Sequence, residues 1–351
     1  MRLSRVLAHI AAISLAVESS ASTFPAETWD TSSPDEVGLD VAKLQQLQNL
    51  VGGTGLIIRH GYLAYSWGDI SQTIDWASAS KPLLTTMLFR AEQLGYTSIH
   101  TPVGTFLPGG SPADSAITFF QLASMTSGYS RGEPADEAWS YNDYSTQLFG
   151  YVLFNRLFEM SPASAVAQEL PFLQFQDSVG ISSTQYGRVV GMSLRDFARL
   201  GLFWLNRGTW DGTSYIPESK FTDLVTNPVP IGLPVSSLDG PESWDLGSFG
   251  GSDNQPEFLG QGHYGMFFWV NTNGFFGVSA PPDVFAAIGH VGVEMCIMIP
   301  GLDLVAVGKG IWGHPATNAV QLLQDAVVDV VGVNEGQTEA ATWGAVKAKY
   351  R

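Results

Sequence analysis

Basic residues are scarce in this chain: Lys and Arg number 17 against 33 Asp and Glu among 351 residues, a formal net charge of -16. Such a balance offers no basic surface to nucleic acid or to anionic lipid, and excludes both as expected partners. Cysteine is almost absent. Cys296 is the single one, so no internal disulfide can form and stability must come from a packed core. It lies in the apolar run Val293–Ile299, where a buried structural thiol is expected instead of a nucleophile. No Asn-x-Ser/Thr sequon occurs, so N-glycosylation is not expected. Long apolar runs are missing too. The longest, Leu7–Val17, falls short of the ~20 residues a spanning helix needs. Neither the nucleophile elbow of an α/β-hydrolase nor a His-Glu-x-x-His zinc site is expected, and no residue cluster calls for a metal or a cofactor.

The apolar run Leu7–Val17 follows Arg2 and Arg5 and precedes the small residues Ser19–Ser22, the layout of a secretory signal peptide. Residues 1–21 are therefore expected to be removed, and the remainder to be secreted, extracellular or periplasmic. With 45% hydrophobic residues, positions 22–351 suit a single large domain.

Apolar spacing predicts a helix over Asp35–Val51 with Leu39, Leu44, Leu47 and Leu50 on its stripe. Gly55–Arg59 and Tyr62–Trp67 flank His60-Gly61 as a β-hairpin. A nearly all-apolar helix then runs to Gly95, and Met192–Leu205 forms another with Ser193 as its N-cap. Pro228–Gly262, rich in Gly, Pro, Ser and Asp, reads as irregular. Strands are expected at Tyr264–Asn271, Val284–Gly289, Val293–Ile299 and Asp303–Val307, and a closing helix over Thr317–Val331. Strands at both ends with helices between them imply an α+β fold. One antiparallel sheet is built from both chain ends and flanked by the terminal helices, with a mainly helical subdomain, about 100–245, inserted.

Within the all-apolar helix, Ser78-Ala79-Ser80-Lys81 is a Ser-x-x-Lys motif, and no other lysine has a serine three positions before it. Three residues bring hydroxyl and amine to one helix face. A serine becomes a nucleophile only when a neighbour takes its proton. Downstream come Tyr141-Asn142-Asp143 and Gly289-His290-Val291-Gly292. In this order the three elements resemble the signature of the serine β-lactamase and penicillin-binding family, most closely its class C-related esterases. Gln121–Gly128 and Arg195–Gly201 are supporting matches, and the resemblance spans roughly residues 33–330.

The resemblance implies catalysis through an acyl-enzyme on Ser78, with Lys81 and Tyr141 managing the proton. The N–H groups of Ser78 and Val293 would form an oxyanion hole, and Asp143, His290 and Gly292 would face substrate. Two departures from the pattern narrow the substrate. Asp143 stands where the family carries Asn, and a carboxylate cannot donate a hydrogen bond as an amide does. His290 stands where penicillin-recognising members carry Lys, and histidine as a type is largely neutral at pH 7. Small esters or simple amides are expected over β-lactams and D-alanyl peptides. The alternatives are an amidase, D-peptidase or β-lactamase of the same fold, and a binding or scaffold protein without turnover. Trp139, Phe267, Phe268 and Trp269 are candidates for an acyl pocket, with core packing expected for at least half of them. Gly260–Gly265 is spelled like a dinucleotide fingerprint, but a strand pattern follows it, so no dinucleotide is expected.

Overall fold

Glycine and β-branched residues set the first turn of the fold. Leu56, Ile57 and Ile58 are all buried in strand β1 (Thr54–Arg59), and His60 and Gly61, with φ of 54° and 82°, reverse the chain into β2 (Tyr62–Trp67). A two-residue reversal with both φ positive matches the strands' right-handed twist. The computed structural model of the chain describes residues 23–251, 254–256, 258–312 and 316–328. The expected signal segment lies outside these residues.

Helix α1 (Val41–Val51) precedes the hairpin, capped by Asp40, whose side chain accepts from Ala42 and Lys43 N–H. Leu39, Leu44 and Leu47 are buried as expected, but Leu50 is exposed, and Val51 completes the stripe in its place. After β2 come the two-residue strand β3 (Thr73–Ile74), the buried helix α2 (Lys81–Gln93) and the short helices α3 (Pro112–Ala116) and α4 (Phe119–Ala123). Helices α5 (Asp143–Val152) and α6 (Pro162–Glu169) follow, then strands β4 (Gly180–Ile181) and β5 (Val189–Ser193). Helix α7 (Leu194–Leu205) starts at the expected cap: Ser193 Oγ accepts from Asp196 N–H. Strands β6 (Thr209–Trp210) and β7 (Thr213–Ser214) form a small hairpin.

The chain then returns to the main sheet. The segment Tyr264–Asn271 is not one strand as expected but a tight hairpin, β8 (Tyr264–Gly265) and β9 (Phe268–Val270). Met266 and Phe267, with φ of 49° and 67°, force the reversal. Strands β10 (Phe285–Gly289), β11 (Glu294–Ile299) and β12 (Leu304–Lys309) and helix α8 (Ala316–Asp325) close the fold. The expected closing helix reached Val331; α8 stops at Asp325, and residues past 328 lie outside the described part.

All seven strands of the main sheet pair antiparallel, in the order β2-β1-β12-β11-β10-β9-β8. The sheet is thus built from both chain ends, and α1 packs on α8. Helix α7 lies against β11, β12 and β1. Gly201 makes that approach possible, since a Cβ there would come within 2.6 Å of Cys296 Sγ and 2.8 Å of Val305 Cγ1. Cys296 is fully buried at this contact, and burial pushes its thiol far above the ordinary range, so it is a packing residue. Residues 295, 297 and 299 of the same strand are buried on the opposite face, so both faces are covered.

Candidate active site

Ser78 lies in a single 3₁₀ turn, Ala77–Ser80, that opens α2. Three anchors hold the turn. Trp76 stacks on Phe197 at 3.7 Å between ring centroids and donates its Nε1–H to Met192 O. Asp75 Oδ1 accepts from Ala77 N–H at 2.8 Å, while Arg188 grips the Asp75 carboxylate through Nε (3.2 Å) and Nη2 (2.8 Å). Ala77 sits at φ 46°, a left-handed conformation that a non-glycine residue adopts only under constraint. The two serines of the motif have different fates. Ser80 is fully buried and its hydroxyl accepts from Val189 N–H, whereas Ser78 is half-buried and faces a pocket.

Lys81 is completely buried, and its Nζ lies 2.7 Å from Ser78 Oγ and 2.9 Å from Asp143 Oδ1. Its ammonium also sits 4.8 Å from the Tyr141 ring centroid and 4.7 Å from that of Phe249. Burial alone disfavours the ammonium, but the Asp143 carboxylate and Tyr141 outweigh it and hold Lys81 above the ordinary lysine range. Lys81 is therefore a charged donor towards Ser78. Asp143 heads helix α5, and Asn142 serves as the helix cap, accepting from Tyr144 and Ser145 N–H. That division explains the local sequence: Asn142 is spent on the backbone, and Asp143 turns inward.

The Gly-His-Val-Gly segment behaves differently from the expectation. Strand β10 ends at Gly289, so the segment forms the turn to β11, with His290 and Val291 at φ of 39° and 59°. Within it the N–H groups of Gly292 and Val293 both donate to Gly289 O, at 2.8 and 3.0 Å. The Val293 N–H is consumed there and cannot serve an oxyanion, nor does Gly292 reach the pocket wall. The backbone that approaches the nucleophile turn is that of Gly289, where a Cβ would fall 2.6 Å from Trp76 O and 3.2 Å from Ala79 N. The His290 side chain lines the pocket as expected, and its Nδ1 meets the buried Glu294 Oε2 at 2.9 Å, with Lys309 Nζ on the other oxygen at 3.4 Å.

The pocket has a volume of about 360 Å³, and its walls include Ser78, Tyr141, Asp143 and His290. Of the four aromatic candidates only Trp269 reaches it; Trp139, Phe267 and Phe268 pack in the core. Sequence reasoning missed Phe249, Gln255, Phe258 and Phe275, of which the first three come from the irregular segment 228–262. That segment hydrogen-bonds along Trp139–Asp143: Ser236 N–H to Trp139 O, Gln255 N–H to Tyr141 O and Phe249 N–H to Asp143 O. It also missed Gly128-Tyr129-Ser130-Arg131-Gly132, which is spelled like a nucleophile elbow. The five residues lie in the loop between α4 and α5, without the flanking strand and helix of an elbow, and Ser130 is buried. Gly260–Gly265 leads into strand β8, as expected, and not into a helix.

Tyr264 is fully buried beside Tyr141, ring centroids 6.0 Å apart, and its hydroxyl lies near that of Tyr141 without bonding geometry. Burial and the neighbouring Tyr141 raise its pKa well above the usual tyrosine range, so it stays protonated. An orphaned buried hydroxyl costs stability. Tyr264→Phe is therefore expected to raise the unfolding free energy by about 1 kcal/mol in denaturant melts. A loss of stability would reveal a partner for that hydroxyl.

Comparison with known proteins agrees with this architecture. Residues 48–170 match the Beta-lactamase family model. Solved structures share the fold at low identity. A Bacillus anthracis protein assigned as a 6-aminohexanoate-dimer hydrolase superposes with a TM-score of 0.61 at 16% identity, covering 86% of each chain. A penicillin-binding protein homolog from Caulobacter crescentus gives 0.58 at 14%, covering 84% of this chain and 97% of its own. A class C β-lactamase from Rhodobacter sphaeroides gives 0.54 at 16%, covering 82% and 97%. No curated protein matches the sequence. The chain has the β-lactamase fold, and its residues 48–170 match the Beta-lactamase family model. Among the described residues no helix is long and apolar enough to cross a membrane, and no acidic, His or Cys group could hold a metal ion.

Proposed function

We propose that the protein is a secreted serine hydrolase that cleaves small carboxylic esters through an acyl-enzyme on Ser78. One observation carries the reading: the Ser78 hydroxyl, half-buried on the pocket wall, lies 2.7 Å from the buried Lys81 ammonium. Ser78 Oγ attacks the ester carbonyl carbon, and the carbonyl oxygen takes the negative charge, which the resemblance assigns in part to the Ser78 N–H. Because Lys81 donates to Oγ, the group left to accept the serine proton is Tyr141, acting as a phenolate beside the Lys81 ammonium and becoming a neutral phenol. It returns the proton to the departing alcohol. Water then enters, loses its proton by the same route and cleaves the acyl-enzyme.

Esters are favoured over lactams by the state of two side chains. Asp143 has no hydrogen to donate, and its carboxylate is shared between Lys81 and Gln255 Nε2. His290 has its Nδ1 committed to Glu294. The carbonyl of a β-lactam side-chain amide and the β-lactam carboxylate therefore lack matching donors. We expect kcat/KM for a short-chain ester to exceed that for a chromogenic cephalosporin by on the order of 10², the worth of one or two missing charge-assisted hydrogen bonds. Parallel initial rates decide it, and a faster cephalosporin would overturn the ester assignment. Export is supported by the layout of residues 1–21; mass spectrometry of the secreted chain should place its first residue near Ser22 or Thr23.

A further inference from the structure

Gln255 reaches the same carboxylate that holds Lys81. Its Nε2 donates to Asp143 Oδ2 at 3.0 Å, and its backbone is pinned on both sides, N–H to Tyr141 O and carbonyl to Phe258 N–H, each at 3.0 Å. A carboxamide has a donor end and an acceptor end, whereas a carboxylate only accepts. The amide therefore cannot turn over without setting oxygen against oxygen. Its NH₂ must face Asp143, and Oε1 is left as an acceptor with no protein partner among the described residues.

Most of the other polar side chains on the wall are committed elsewhere. Arg188 is committed to Asp75 and to Gln185 Oε1, His290 Nδ1 to Glu294, and Asp143 to Lys81 and Gln255. Most of the remaining wall is apolar: Phe249, Phe258, Trp269, Phe275 and Ile288. An unspent amide acceptor held in a fixed orientation in an aromatic pocket selects for a ligand that carries a matching donor.

Resting on the reading of Ser78 as the nucleophile, we propose that Gln255 is a substrate-selecting residue. The preferred esters carry a hydroxyl or N–H donor within a few bonds of the scissile carbonyl, met by Gln255 Oε1. It also accounts for Asp143: the acid that fixes the lysine also fixes the orientation of the selecting amide.

The test compares matched substrates. Kinetics would be measured on ethyl butyrate against ethyl 3-hydroxybutyrate, and on ethyl butyrate against 2-hydroxyethyl butyrate, with the wild type and with Gln255→Met. One hydrogen bond to a neutral acceptor corresponds to about a tenfold advantage in kcat/KM. The proposal expects that advantage for at least one hydroxylated member in the wild type and its collapse to near unity in Gln255→Met. Because the variant also loosens Asp143, the ratio within each pair is the readout, not the absolute rate. Equal rates within both pairs in the wild type, or an advantage that survives in Gln255→Met, would overturn it. A fluorophosphonate probe applied to both proteins separates the two levels. Adduct on Ser78 with no hydroxyl preference overturns the role of Gln255 alone, while absence of adduct on Ser78 overturns the reading of the site as well.

Discussion

Ser78→Ala abolishes ester turnover, with kcat/KM falling by a factor on the order of 10⁴ or more, because no other hydroxyl on the pocket wall can accept the acyl group. Ser80, two residues on, cannot substitute: it is buried and its oxygen accepts from Val189 N–H. The fold should be indifferent to the change, since Ser78 packs against nothing that needs its Oγ except Lys81. Circular dichroism and the melting curve should therefore match the wild type. Trapping with an acylating inhibitor should place the adduct on the peptide that contains Ser78. Retention of more than a tenth of the activity in the alanine variant, or an adduct on Ser80, would remove the nucleophile assignment.

Tyr141→Phe should cost nearly as much as Lys81→Ala, a factor of ~10²–10⁴ in kcat. The reason is electrostatic. An ammonium beside a carboxylate at 2.9 Å in a buried site is held in its charged form, and a charged amine has no lone pair to take the serine proton. Asp143→Asn tests the same point by pH. Removing the carboxylate leaves burial as the dominant influence on Lys81, which lowers its affinity for a proton. Deprotonation within the Lys81–Tyr141 pair then becomes easier, so the acid limb of the pH–rate profile should move to lower pH. A Tyr141→Phe variant within a few-fold of the wild type would return the base role to Lys81.

Short-range spacing made part of this site legible in the sequence. Ser78 and Lys81 are three residues apart on one helical face, and Tyr141 and Asp143 flank a helix cap; such relations survive without knowledge of the tertiary fold. The Val293 half of the oxyanion assignment failed because it depended on where a strand ends. The spelling His290-Val291-Gly292-Val293 does not reveal that β10 stops at Gly289 and that the next residues curl back onto its carbonyl. The pocket wall was hidden for another reason. Phe249, Gln255 and Phe258 lie in a segment with no periodicity, whose conformation is set by hydrogen bonds to residues more than a hundred positions earlier. Likewise the hairpin β8–β9 reads as a single strand, because the left-handed residues at its tip are Met266 and Phe267 instead of glycine.

The pairing of β1 with β12 has a consequence for the order of events during folding. Thr54 lies opposite Lys309 and Arg59 opposite Leu304, so the second strand of the sheet gains its neighbour only after almost the whole chain exists. Pairings so distant in sequence close slowly, since the entropy of the intervening loop must be lost before any contact rewards it. Until then Leu56, Ile57 and Ile58 belong to a hairpin with one unpaired, apolar edge, a state that aggregates readily. A fragment ending before Glu294 should for that reason be insoluble, not merely inactive. The intact chain cannot close its sheet until its last strand is made.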